Sequence, residues 1–158
     1  MQKITPFLWF DGNAEEAVAF YTSIFKNSKT GTVSYYSEAG PRPAGSVLTV
    51  EFTLDGENFV ALNGGPHYKF TPAISFYVAC ETQAEIDELW GKLLAGGGQP
   101  SQCGWLTDRY GVSWQIVPTI LTEYMKDRDP AKSRRVAEAL FKMVKLDIAA
   151  LKKAYAGS

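Results

Sequence analysis

The chain has 158 residues, of which 46% are hydrophobic and 13% aromatic, and its formal net charge is −1. This length and composition predict a globular protein made of one well-buried domain or of two small modules that share a core. No run of Lys or Arg coincides with aromatic residues, and no stretch approaches the roughly 18 apolar residues of a membrane span, so the pattern argues against nucleic acid and membrane as partners.

The first half of the chain predicts a strand, a helix and three further strands. The aromatic segment "TPFLWF" reads as a strand, and "NAEEAVAFYTSIF" predicts a helix capped by Asn13, with Glu16 three residues further on. The segments "TGTVSYYS", "SVLTVEFTL" and "NFVALN" predict the three strands, and Asp55-Gly56 joins the last two as a two-residue turn. The apolar face of the helix consists of Ala17, Phe20, Tyr21, Ile24 and Phe25.

The second half repeats this order. The segment "AISFYV" predicts a strand, and "TQAEIDELWGKLL" predicts a helix with Thr82 as its cap and Glu85 three residues on. The short segments "QPSQC", "GWLTD" and "VSWQIV" predict the following strands. The second apolar face lies 69 residues beyond the first, since 86 − 17 = 69 and the other four pairs agree: Ile86, Leu89, Trp90, Leu93 and Leu94. The sequence therefore predicts two βαβββ modules.

A third helix is predicted after the second module. Asp129-Pro130 forms an N-cap and N1 pair, and the helix is expected to run from about residue 130 to 154. The apolar face of this helix either closes the core or forms a subunit interface. Because the face is long for so small a domain, we expect a homodimer. We therefore divide the chain into paired modules at 1–118 (about 4–64 and 72–118) and a helical extension at 119–158. The face consists of Val136, Ala139, Leu140, Met143, Val144, Ile148 and Leu151.

The cysteines and the N-terminus bear on the compartment. Cys80 and Cys103 lack CxxC spacing and a His-rich neighbour, which argues against a disulfide framework or a zinc site. The segment "MQKITPFLWFDG" has one Lys, a short apolar run and no small-residue cleavage site. These features predict a cytoplasmic protein.

Four segments resemble a known family: "PFLWFDGNAEEAVAFY", "LNGGPHYKFTPAISFYV", "ETQAEIDELW" and "CGWLTDRYGVSWQIVP". They cover most of residues 4–118 and are similar to the vicinal oxygen chelate superfamily, the group of glyoxalase I, bleomycin-resistance proteins and extradiol dioxygenases. Within it, the chain resembles the PhnB-like branch labelled 3-demethylubiquinone-9 3-methyltransferase, of which the helical tail is also typical. The resemblance implies an α+β fold in which the two modules form an open cup, with the pocket inside and the helices outside.

The resemblance also implies where metal-using relatives hold their ion. A divalent ion needs imidazole or carboxylate ligands, and none of the corresponding positions carries one. We therefore expect no metal and no cofactor. The positions are Thr5 or Pro6, Ala61 with Asn63, Ala73 or Ser75, and Gln115.

Gln115 lies in the middle of an otherwise apolar strand and is either a pocket amide or a structural glutamine bonded to backbone. As ligand-binding residues we expect stacking surfaces at Trp9, Tyr77 and Trp105 and orienting polar groups at Asn63, Ser113 and Gln115. Asn63 could instead cap a turn. Glu51 either faces solvent or enters the pocket.

Two further side chains have open roles. His67 is either an exposed loop histidine or a general base that lacks an identified orienting partner. Cys103 is either a plain buried thiol or a reactive one at the mouth of the cup.

Three functions are compatible with these residues. The first is a metal-free protein that binds a small apolar or aromatic molecule, with or without chemistry on it. The second is a metal-dependent enzyme in which Glu51, His67 and Asn63 assemble a displaced site, and the third is a non-catalytic sequestering or interaction module. A methyltransferase that uses S-adenosylmethionine is disfavoured, because neither glycine cluster, 63–65 or 96–98, lies between a strand and a following helix.

Overall fold

The computed structural model describes residues 2–158, and the chain divides into two compact units, Met1–Lys69 and Phe70–Ser158. In the first unit, strand β1 pairs in parallel with β4, and the other pairings are antiparallel, in the order β1-β4-β3-β2. The elements are β1 (Phe7–Phe10), α1 (Ala14–Ile24), β2 (Lys29–Tyr35), β3 (Val47–Leu54) and β4 (Glu57–Asn63).

The second unit repeats this arrangement and adds three helices. Its strand order is β5-β8-β7-β6, and β5 is parallel to β8. Helices α1 and α2 begin at residues 14 and 83, which reproduces the predicted offset, since 83 − 14 = 69. The α+β class and the two βαβββ modules are therefore confirmed. The elements are β5 (Ser75–Cys80), α2 (Gln83–Leu94), β6 (Gln99–Pro100), β7 (Trp105–Thr107), β8 (Ser113–Pro118), α3 (Thr119–Met125), α4 (Pro130–Leu140) and α5 (Ile148–Ala156).

The predicted apolar faces of α1 and α2 point into the core of their own module. On α2, Ile86, Leu89, Trp90 and Leu93 are all buried. On α1, Ala17 and Tyr21 are buried, and the ring of Tyr21 stacks on that of Phe52 in β3 with 6.3 Å between centroids. The hairpin between β3 and β4 turns at Asp55 and Gly56, whose φ angles of 48° and 84° are the positive values that a type I′ turn requires. The prediction of this turn is confirmed.

The cap of α1 comes from a residue distant in sequence. Asn13 occupies the N-cap position of α1 as predicted, but its side chain makes no capping hydrogen bond within the described residues. Instead, Asn63 at the end of β4 accepts a hydrogen bond from the backbone N–H of Ala14 at 2.9 Å. Its Nδ2 donates to Glu15 Oε1 at 2.8 Å and to the carbonyl of Val47 at 3.2 Å. One buried amide thus fixes the start of α1 relative to the sheet.

The prediction of one long C-terminal helix is also wrong. Helix α4 ends at Leu140 and α5 begins at Ile148, where Asp147 caps it by accepting from the N–H of Ala150. Between them, several backbone carbonyl groups of the link 141–147 bond to the second module. Met143 and Val144 accept hydrogen bonds from the backbone N–H groups of residues 103 and 104 at 2.9 and 2.8 Å. The helical pattern continues through this link, but these tertiary hydrogen bonds replace those of a continuous helix.

The extension builds a small core on the end of β8. Tyr124, Leu140, Met143 and Tyr155 pack around it, and the rings of Tyr124 and Tyr155 stack with 4.0 Å between centroids. Much of the apolar face predicted for the third helix is therefore used inside this unit, and the homodimer stays a prediction. The buried members of the core at the end of β8 are Val117, Leu121, Val136, Leu146 and Leu151.

None of the helices in the described part of the chain has the length and apolar character that a membrane span requires.

The cap of α1 leads to a paired prediction. We expect Asn63→Ala to lower the free energy of unfolding by about 1–3 kcal/mol, because it leaves the N–H of Ala14 and the carbonyl of Val47 without their partner in the protein interior. We expect Asn13→Ala to change it by less than about 0.5 kcal/mol, because that side chain makes no cap. Denaturant midpoints measured at equal transition slope compare the two. Equal effects would contradict the assignment.

Candidate functional site

The register of sheet β5-β8-β7 brings three predicted residues into one row. Tyr77 on β5 is opposite Gln115 on β8, and Trp105 on β7 is opposite the same glutamine. The neighbours Trp114 and Ile116 are 3% and 0% exposed and belong to the core. Because side chains alternate along a strand, the row lies on the opposite face of the sheet.

A cavity of about 390 Å³ lies over this row, within the second unit. It is open to solvent, since Tyr77 is 51% and Met125 is 49% exposed. Its volume falls in the range of about 300–1,000 Å³ that is usual for small-molecule sites. The lining residues are Tyr77, Cys103, Trp105, Gln115, Val117, Leu121, Thr122, Met125, Lys126 and Leu140.

Gln115 has unused hydrogen-bonding capacity in this cavity. Its side chain is half-buried, and Nε2 donates to Ser75 Oγ at 2.9 Å. Within residues 2–158 this is the hydrogen bond that the amide makes, and it goes to a side chain rather than to backbone. An amide has one oxygen acceptor and two N–H donors, so its oxygen and one N–H remain for a ligand or water.

The wall opposite the sheet comes from the helical extension. Tyr77 Oη and Thr122 Oγ1 lie 3.3 Å apart and join β5 to α3. Leu121 is buried between the cavity and the extension core, while Met125 and Leu140 add apolar surface. Lys126 is the single charged side chain in the lining, and no carboxylate lines the cavity among the described residues. The cavity is thus largely apolar, with one amide, two hydroxyls and one cation.

The two cysteines lie in different environments, and both are free thiols. Cys103 is partly exposed in the cavity wall, in a turn where its φ is 60°, and its Sγ lies 3.7 Å from the carbonyl of Leu140. Cys80 is fully buried at the end of β5. Burial raises the pKa of the Cys80 thiol to about 12, with Glu85 and Glu81 adding electrostatic repulsion of the thiolate.

Four of the predicted ligand-binding residues do not line this cavity. In the first unit, Asn63 uses its amide to cap α1, so its N–H groups are already donated. Trp9 donates its indole N–H to the carbonyl of Gly65 at 2.8 Å and meets the ring of Tyr68 edge-on. The Trp9 ring lies flat on Gly64, where even a Cβ would come within 2.3 Å of it. Both side chains have structural partners in their own unit.

Glu51 and Ser113 are the other two. Glu51 is exposed on β3 between the buried residues Val50 and Phe52. Ser113 is 2% exposed on β8, and its hydroxyl has no hydrogen-bond partner among residues 2–158. His67, for which the sequence left two roles open, is exposed in the segment after β4.

Sequence reasoning did not anticipate the part of the lining that α3 supplies. Leu121, Thr122 and Met125 belong to α3 and Lys126 is its C-cap, and this helix was not predicted. A weak signal was present, since Leu121, Tyr124 and Met125 have the i, i+3, i+4 spacing of a helix face. The segment is only seven residues long, so this pattern is too short to identify a helix, and its contact with the sheet depends on tertiary packing.

Comparisons with known proteins support the fold. The family model described as 3-demethylubiquinone-9 3-methyltransferase matches residues 2–117, so the match ends before α3. A putative 3-demethylubiquinone-9 3-methyltransferase, PhnB protein, from Bacillus cereus is 44% identical, with a TM-score of 0.67. The match covers 100% of that protein and 75% of this chain. No curated protein matches the chain.

Two more distant solved structures share the fold alone. A protein from Pseudomonas aeruginosa is 22% identical over 74% of this chain and 96% of its own, with a TM-score of 0.59. A genomically encoded fosfomycin resistance protein, FosX, from Listeria monocytogenes is 14% identical over 72% of this chain and 89% of its own, with a TM-score of 0.50.

The thiols provide a prediction about access to the cavity. We expect iodoacetamide at pH 8 to alkylate Cys103 in the folded protein and to leave Cys80 unmodified, because the thiolate is the nucleophile and burial suppresses it at Cys80. Peptide mass spectrometry at timed intervals measures both sites. Alkylation in denaturant, where both thiols should react at similar rates, is the control. Equal rates in the folded protein would contradict the structure.

Proposed function

This chain belongs to the PhnB-like family described as 3-demethylubiquinone-9 3-methyltransferase, within the vicinal oxygen chelate superfamily, and we propose that it binds a small molecule in the cavity beside Gln115. The observation that carries the proposal is the row Tyr77, Gln115, Trp105. It places a partly unpaired amide between two aromatic side chains at the base of a cavity of about 390 Å³. Apolar walls with a few oriented polar groups are typical of small-molecule sites.

The family description names a methyltransferase, but this chain does not suit S-adenosylmethionine in the usual way. That cofactor is commonly held by a Gly-rich turn between a strand and a helix of a doubly wound parallel sheet. Here each sheet has one parallel pair of strands. The turn before α1 contains a single glycine, Gly12, and the turn before α2 is Glu81-Thr82. We therefore propose no methyl transfer.

A metal-dependent reaction has equally little support from the side chains. No group of three His, Cys, Asp or Glu side chains in the described part of the chain is arranged to hold an ion. The displaced site considered from the sequence needs Asn63, whose amide is committed to the cap of α1. The proposed function is therefore binding by stacking and hydrogen bonding.

The proposal is tested by locating a ligand on the protein. Native mass spectrometry of the freshly purified chain looks for a co-purified compound of a few hundred daltons. In parallel, ¹H–¹⁵N spectra recorded during titration with small aromatic fragments follow the Trp105 indole N–H and the Gln115 side-chain amide, assigned with Trp105→Phe and Gln115→Leu. Binding that shifts both signals supports the proposal. If neither signal moves at the highest fragment concentration, the proposal is refuted.

Replacing Gln115 separates function from folding. We expect Gln115→Leu to change the free energy of unfolding by less than about 1 kcal/mol, because the residue is half-buried and its side chain bonds to the Ser75 hydroxyl. The free energy of fragment binding should fall by more than the free energy of unfolding does. Denaturant midpoints and fragment Kd values measure the two effects. A stability loss of about 3 kcal/mol would show that the glutamine is a scaffold residue.

The positions corresponding to metal ligands lead to a separate prediction. We expect equimolar Zn²⁺, Ni²⁺, Mn²⁺ or Fe²⁺ to leave the thermal midpoint of EDTA-treated protein unchanged, because Ala61, Ser75 and Gln115 offer no imidazole or carboxylate. Differential scanning calorimetry measures the midpoint, and calorimetric titration measures stoichiometry. A reproducible one-to-one site of micromolar affinity would overturn the metal-free interpretation.

A further inference from the structure

We propose that the ligand is a compact ring compound that carries an acidic group, and that the helical extension selects it through Lys126. This inference rests on the proposed function and specifies its ligand class. It combines three features of the cavity: which part of the chain builds each wall, the sign of its charge, and the spacing of its aromatic side chains.

The cavity has two walls of different origin. The part of the chain that matches the family supplies Tyr77, Cys103, Trp105, Gln115 and Val117. The other five lining residues lie beyond residue 117, where the family match ends: Leu121, Thr122, Met125, Lys126 and Leu140. The B. cereus relative is covered completely by 75% of this chain, so a quarter of this chain lies outside the shared part. These five lining residues therefore lie outside the part of the chain that the family model describes.

The charge of the lining favours an anion. Lys126 is the single charged residue among the lining residues of the described chain, and none of them is Asp or Glu. Its ammonium lies 3.8 Å from Glu123 Oε1, and both side chains are more than 70% exposed. Exposed pairs at such distances contribute little free energy, so a carboxylate on the ligand can replace Glu123 at small cost.

The aromatic side chains favour a flat ring system. Tyr77 and Trp105 flank Gln115 on the two neighbouring strands. Neighbouring strands lie about 4.8 Å apart, so the two side chains start about 10 Å apart, with Gln115 between them. A planar group of one or two fused rings fits over the amide, with the apolar side chains of Leu121, Met125 and Leu140 on its other side.

The extension is fixed to the module, so the backbone of Lys126 is held at the edge of the cavity. Thr122 contacts Tyr77 across the cavity, and Leu121 packs into the buried core that also contains Val117. Lys126 follows one turn after Thr122 at the end of α3. An acidic group bonded to Lys126 would therefore leave the ring over Gln115.

The test compares two probes of nearly equal shape, one charged and one neutral, and the Lys126 variant separates the effect of charge from that of the amide N–H donors. Naphthalene-2-carboxylate and naphthalene-2-carboxamide have the same ring system, but the first is an anion at neutral pH and the second is not. Their Kd values are measured by ¹H–¹⁵N titration on the Trp105 indole signal, for the wild-type chain, Lys126→Met and the control Lys142→Met. Lys142 is an exposed lysine in the link 141–147 and does not line the cavity.

We expect the carboxylate to bind the wild-type chain about fivefold more tightly than the amide, as an exposed ion pair provides. Lys126→Met should remove this preference without changing the Kd of the amide, Lys142→Met should retain it, and added salt should reduce it. Equal binding of both probes at the Trp105 signal, unaffected by Lys126→Met, would overturn the acid-selective site and leave the proposed function standing. No shift of the Trp105 signal with either probe would overturn both.

Discussion

The attachment of residues 143–148 to the second module is the constraint on which the candidate site depends. Backbone N–H groups of Cys103 and Gly104 donate to the carbonyls of Met143 and Val144. From α2, Gln83 donates to the carbonyl of Leu146 at 3.0 Å and accepts from the N–H of Ile148 at 2.8 Å. Leu146 itself is fully buried. These contacts hold the extension against the module, and the extension supplies one wall of the cavity.

Gly104 shows how tightly this junction is packed. A Cβ at this position would lie 3.0 Å from the carbonyl oxygen of Ile116 and from the side chain of Leu146, and its φ of 84° already favours glycine. The same turn carries Cys103 into the cavity wall. One tight turn therefore sets both the position of the extension and the edge of the cavity.

The two modules share an architecture and use corresponding strands differently. In the first, the last strand ends in Asn63, whose amide is consumed in capping α1. In the second, α2 is capped locally by Thr82, which accepts from the N–H of Glu85 at 3.2 Å. Gln115 lies in the middle of β8, away from that cap, and keeps hydrogen-bonding capacity for the cavity. The two sheets thus use their amides differently, since one caps a helix and the other lines a cavity.

The sequence by itself determined the modules, because their signals are local. The i, i+3, i+4 spacing predicted the buried face of α2, and Asp55-Gly56 predicted the hairpin. Tyr77, Trp105 and Gln115, three of the expected ligand-binding residues, lie in one row of the second sheet. The cap at Asn63, the interruption at 141–147 and the wall formed by α3 were decided only by the tertiary structure. Each depends on hydrogen bonds between residues 40 to 65 positions apart, such as Cys103 with Met143 (143 − 103 = 40) and Gln83 with Ile148, and local spacing carries no information about such pairs.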